Sequence, residues 1–141
     1  MARVRDLLHN RILFHAEEND AVADVARQMA QLHIGAILVL DGGRLCGVFS
    51  ERDLMKRVVL ERLNPESTPV KFVMSTDVVT VDEDAELQEA MEAMEAHSCR
   101  HLPVMRGGRV TGFLSMRDIM HYELTRQTDE IHHMRAYIHG A

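Results

Sequence analysis

An internal repeat constrains this chain more than any other feature: shifted by 65 positions against itself, the sequence matches without a gap. Met29 falls on Met94, Val39 on Val104, Gly42 and Gly43 on Gly107 and Gly108, Arg44 on Arg109, and Gly47 on Gly112. Ser50, Arg52, Asp53 and Met55 then fall on Ser115, Arg117, Asp118 and Met120. Ten of the 27 positions from 29 to 55 are therefore identical at one offset, so the fold is built from two copies of one supersecondary unit.

The apolar periods agree with the repeat. Val22, Val25, Ala26, Met29 and Leu32 trace one helical face, and Leu87, Ala90, Met91, Met94 and His97 trace its counterpart, with Asn19 and Asp84 as expected N-caps. After each helix comes a short apolar run (36–40 or 102–105), a Gly-Gly pair and a second run (45–49 or 110–114), which predicts a β-hairpin. Pro103 lies inside one of these runs and points to an edge strand or a strand's first residue. A leading strand over 12–14 or 78–81 completes the unit at its start. A second helix completes it at its end, carrying Leu54, Met55, Val58 and Val59 or Ile119, Met120 and Leu124. The expected organisation is a first repeat over 1–62, a linker and short helical lead-in over 63–74, a second repeat over 75–125, and a C-terminal helix over 126–141. In that last helix Ile131, Met134 and Ile138 share a side that needs a cover. A unit of roughly 50 residues buries too little surface to stand alone, so the pair is the folding unit, packed with pseudo-twofold symmetry. The fold class is α/β (α+β): two β-α-β-β-α repeats plus terminal helical segments.

Composition narrows the function. With 141 residues, 46% of them hydrophobic, the chain can bury a proper core, and with no Trp that core must come from aliphatic residues and Met. A net charge of -6 argues against a nucleic-acid-binding face. Cys46 and Cys99 stand far apart without a CxxC partner, and no apolar run approaches the ~20 residues of a membrane span. A cytoplasmic protein is expected. His97, Cys99 and His101 alternate in a way that invites a metal, but no fourth ligand is evident and no metal site is assigned.

GVFSERDLM, GFLSMRDIM and CRHLPVMRGGRV resemble the motifs of paired CBS (cystathionine β-synthase) domains, the stand-alone Bateman type, over nearly the whole chain. The resemblance implies a module, often a homodimer, that binds an adenosine-containing ligand between repeats and regulates a protein partner in trans. It implies that Ser50 and Asp53 border a nucleotide in one site and Ser115 and Asp118 in the other, with each Asp on the ribose hydroxyls. It further implies adenine-framing main chain around Phe14, Ala36, Ile37, Thr80 and Leu102, and phosphate contacts from Arg100 and His101. Arg52 and Arg117 are further phosphate candidates. Ser-x-x-Asp at a helix start is equally a capping arrangement, and the two roles are compatible.

No P-loop, GxGxxG, HExxH or GxSxG is present, so neither an enzyme nor a catalytic cofactor is expected. Two functional readings remain. One is a sensor of AMP, ADP, ATP, NAD(H) or S-adenosylmethionine; the other is a dimerisation scaffold without a physiological nucleotide.

Overall fold

The two-residue Gly-Gly turns organise each half. Gly42 and Gly43 adopt φ of 56° and 89°, and Gly107 and Gly108 adopt 55° and 80°, the left-handed pair that a tight hairpin demands. In a computed structural model that describes residues 2–8 and 13–139, the elements run β1 (His15–Glu17), α1 (Val22–Leu32), β2 (Ala36–Asp41) and β3 (Arg44–Ser50). They continue with α2 (Glu51–Asp53), β4 (Val81–Asp82), α3 (Leu87–His97), β5 (His101–Arg106), β6 (Arg109–Ser115) and α4 (Met116–His139). Each half is a three-stranded sheet with β2 or β5 central. That strand is parallel to the leading strand and antiparallel to its hairpin partner. Both hairpins shift register at the same place, after Val39 and after Val104.

The leading strands lie later than the apolar runs suggest. Ile12 is outside the described residues and Phe14 is not in a strand; β1 begins at His15, and β4 covers only Val81 and Asp82. Pro103 is buried in the central strand β5, neither on an edge strand nor first, yet β4 pairs only with Val104 and Met105. In the first half β1 reaches one residue further, to Leu38, the counterpart of Pro103. The prolyl nitrogen has no proton to extend the ladder, so the parallel pairing stops short.

The main departure from the sequence reading is an exchange of segments. A 3-10 turn at Val4–Leu7 packs its buried Val4 and Leu7 into the second repeat's core, beside Leu87, Met94, Leu102 and Ile119. The matching turn, Val70–Phe72, places Val70, with Val73 and Met74, into the first repeat's core, beside Val22, Met29, Ile37 and Phe49. The backbone bonds are equivalent on the two sides. Val4 and Arg5 donate to Ala85 and Glu83 (both 2.9 Å), while Val70 and Lys71 donate to Asp20 (2.8 Å) and Glu18 (3.0 Å). In return, the Leu87 amide donates to Ala2 (3.0 Å) and the Val22 amide to Thr68 (2.9 Å).

That exchange explains why the expected N-caps fail. The capping positions are Ala21 and Glu86, without side-chain caps, because the crossing backbone takes the first helical amides that Asn19 and Asp84 were expected to serve. Val4 is wholly buried in a core formed mainly by residues 80 positions later. We expect Val4→Ala to cost about 2 kcal/mol, for two lost methyl groups and the space they leave. A lower urea midpoint at unchanged slope would show it.

The second helices also differ from the periodic reading. After α2 the chain continues as a π-helical stretch, Leu54–Val59, of which only Val58 is fully buried; Met55 and Val59 face solvent. Met120 and Leu124, the counterparts in α4, are exposed too, while Ile119 is buried. His97 ends α3 exposed. The expected C-terminal helix is not a separate element: α4 runs unbroken from Met116 to His139.

Candidate functional site

Ser50 and Ser115 each close a strand and cap the helix that follows. The Ser50 hydroxyl accepts the Asp53 amide (3.1 Å) and the Asp53 carboxylate accepts the Ser50 amide (3.0 Å). Ser115 and Asp118 repeat the arrangement at 3.0 Å in both directions. The capping role of both motifs is thus present, and what distinguishes the two copies is their surroundings.

Asp53 is 6% exposed and surrounded by partners from its own chain. Besides the Ser50 amide, its carboxylate accepts the Ser50 hydroxyl (3.1 Å) and the Ser75 hydroxyl (3.1 and 3.3 Å), and Arg57 Nε lies 3.7 Å away. Ser75 is brought there by a two-bond bridge to Val48 on the open edge of β3 (3.0 and 2.9 Å). Gly47 permits it, since a Cβ there would lie 2.6 Å from the Ser75 carbonyl oxygen. At this glycine the close approach is thus made by the protein's own backbone.

Asp118 is only half-buried and lines a cavity of about 1130 Å³ between the repeats. From the second repeat Ser115, Arg117, Arg100 and His101 also line it, and from the first repeat Phe14 and Ala36. Arg100 and His101 thus face Gly35 and Ala36, their own counterparts across the pseudo-twofold axis. Of the remaining expected site residues, none lines this cavity. Ser50 and Asp53 belong to the closed cluster, Arg52 is exposed, Ile37 and Leu102 are fully buried in the two cores, and Thr80 is exposed. Sequence reasoning did not single out His33, Ile34, Met116 or His121, which also line the cavity; a signal for the first two was available in their place just before Ala36.

His101 begins β5 and its ring lies 5.2 Å from that of Phe113, two residues along the facing strand from its paired Ser115. Burial pushes its pKa below the ordinary histidine value of 6.5 against the opposing pull of Asp118, while Arg100 pushes the same way as burial. The wall of the cavity therefore carries a neutral imidazole at pH 7, next to a guanidinium and a carboxylate. Cys99, beside them, is a free thiol whose pKa burial raises. Its neighbour His97 is exposed at the end of α3.

The CBS-domain profile matches residues 4–60 and again 70–125, the two halves just described. The chain belongs to the CBS-domain family. A protein with CBS domains from Burkholderia ambifaria is 32% identical and superposes with a TM-score of 0.84, over 89% of this chain and 96% of that one. A CBS domain protein from Pyrobaculum aerophilum, solved in complex with AMP, is 29% identical with a TM-score of 0.75, over 83% of this chain and 89% of that one. The mitochondrial CBS domain-containing protein CBSX3 of Arabidopsis thaliana is 28% identical over 86% of this chain. The CBS pair spans 62% of that relative's length. No helix among the described residues is long and apolar enough to cross a membrane.

Proposed function

We propose that this CBS pair senses an adenosine nucleotide in the cleft between its repeats that Asp118 lines, and as a homodimer passes the signal to a regulated protein partner. The supporting observation is the cavity, which gathers the Asp118 carboxylate and Arg117 from α4, Arg100 just before β5 and His101 at its start, and an apolar wall that includes Phe14 and Ala36. Asp118 accepts hydrogen bonds from the ribose hydroxyls, as a short carboxylate can from a vicinal diol. Ser115 borders the sugar, and Phe14 and Ala36 flank the base. Arg100, Arg117 and the positive end of α4 attract phosphate, and His101 joins them when protonated. We assign one occupied site per chain, because the first-repeat carboxylate is already enclosed by Ser50, Ser75 and Arg57. The role is regulatory, not catalytic, and the cytoplasm, where the two thiols stay reduced, is the compartment we assign.

The test is titration calorimetry with AMP, ADP, ATP, NAD(H) and S-adenosylmethionine. Saturation near one ligand per chain supports the sensor, whereas no heat with any of them favours the scaffold reading.

The pH dependence has a definite sign. The folded chain binds the His101 proton less readily than the unfolded chain, so stability held above pH 6.5 is lost as pH falls through the lowered folded value. A bound phosphate reverses the preference by favouring imidazolium, so phosphorylated ligands take up a proton on binding. Calorimetry near pH 6.5 in buffers of different ionisation enthalpy is expected to show greater proton uptake in the wild type than in His101→Asn. Equal uptake would remove His101 from the phosphate site.

A further inference from the structure

Helix α4 carries a second apolar seam that its own chain does not cover. Met116, Ile119 and Tyr122 pack inward on the second core. On another face, Met120 and Leu124, which also line the rim of the cavity, and Ile131, Met134 and Ile138 beyond it are 50–68% exposed, and every described side chain from Leu124 to Ile138 is exposed. With Gln127, the five form an unbroken 4-3-4-3-4 spacing, the a and d positions of nearly three heptads. The seam is about 27 Å long at 1.5 Å per residue. A helix whose described side chains are exposed over its last turns gains little from propensity alone, so such a regular seam indicates an apolar partner of the same period.

We infer that the occupant is the same seam of a second copy, aligned parallel and in register. This rests on the homodimer reading above and adds its surface and orientation. Two features select the parallel alignment. The positions flanking the seam place Glu130 at g and Arg135 at e, so a parallel pair sets Glu130 of each copy against Arg135 of the other, twice. Within its own helix Glu130 pairs with Arg126, at 3.7 Å and exposed, a contact worth little and easily exchanged. In the antiparallel alignment that overlaps all six layers, Glu130 faces Glu130 and Arg135 faces His121. Gln127 is the second feature. In parallel register it meets Gln127 of the second copy and the two amides can hydrogen-bond; antiparallel, it meets the apolar Ile131. A single polar layer of this kind sets register at some cost in stability.

Sedimentation equilibrium of the full chain tests the inference. The wild type is expected to be a dimer, and Ile131→Glu/Ile138→Glu to weaken association at least 100-fold, with reduced far-UV helical signal. Arg135→Glu is expected to weaken it about tenfold, and the exchange Glu130→Arg/Arg135→Glu to recover it. A wild-type monomer at all concentrations would sink the homodimer reading itself. A dimer indifferent to Ile131→Glu/Ile138→Glu would overturn only the seam, and a dimer tightened by Arg135→Glu would overturn the parallel alignment.

Discussion

Asp118→Ala is expected to abolish the thermal shift that an adenosine nucleotide gives, while Asp53→Ala keeps the shift but lowers the melting temperature of the free protein. The two residues are counterparts in sequence and cap their helices identically, so a purely structural role predicts equal effects. Their surroundings predict opposite ones. At one hundred times its dissociation constant a ligand adds about 2.7 kcal/mol, a shift of roughly 5 to 11 °C for a domain of this size. Asp118 lines the cavity, and its removal takes away the acceptor for the ribose hydroxyls. Asp118→Asn, which retains an acceptor oxygen for the Ser115 amide, is expected to lose the shift as well, separating ligand loss from cap loss.

Asp53→Ala leaves two hydroxyls and Arg57 without their carboxylate in a half-buried setting. We expect a loss of about 2 to 4 kcal/mol in stability, with ligand affinity unchanged. Differential scanning fluorimetry of the three variants, with and without AMP, reads both effects. A shift lost in Asp53→Ala but kept in Asp118→Ala would assign the ligand to the other side of the molecule.

Gly47→Ala is the second large effect: we expect a loss of about 2 to 4 kcal/mol, against a smaller loss for the matching Gly112→Ala. A Cβ at Gly47 would meet backbone, the Ser75 carbonyl oxygen at 2.6 Å, together with the Met74 sulfur at 2.8 Å. Relieving that contact means pulling the 74–75 segment off β3. Both Val48–Ser75 bonds would be lost, and Ser75 would be carried away from Asp53. At Gly112 the nearest atoms are the Leu8 methyls, 2.8 and 2.9 Å away, which a rotamer change can move. Urea unfolding of the two variants measures the difference, and equal losses would show that the segment yields as easily as a side chain.

Much of this was legible in the sequence because it is local. The offset of 65 revealed the duplication, and alternation around Gly-Gly pairs located both hairpins to within a residue or two. The same reading went astray wherever a distant segment supplied what a local one was expected to. Asn19 and Asp84 look like caps, but backbone from 42 to 85 residues away takes the helical amides. The run at 12–14 looks like a strand, yet pairing starts at His15, where β2 offers a partner.

The candidate site divides along the same line. The Ser-x-x-Asp boxes are four-residue motifs, and their capping geometry follows from local spacing. That one box is enclosed and the other faces a cavity depends on Ser75 and Arg57 arriving at Asp53, and on Phe14 and Ala36 standing opposite Arg100 and His101. By itself, then, the sequence determined the doubled unit, its hairpins and its two Ser-x-x-Asp caps, and the residue types that suit a nucleotide, because periodicity and turn chemistry act over a few residues. Only the tertiary structure decided which copy holds an open cleft and which lead-in completes which core, because both depend on chain crossing between the halves, and no local spacing records where a crossing segment comes to rest.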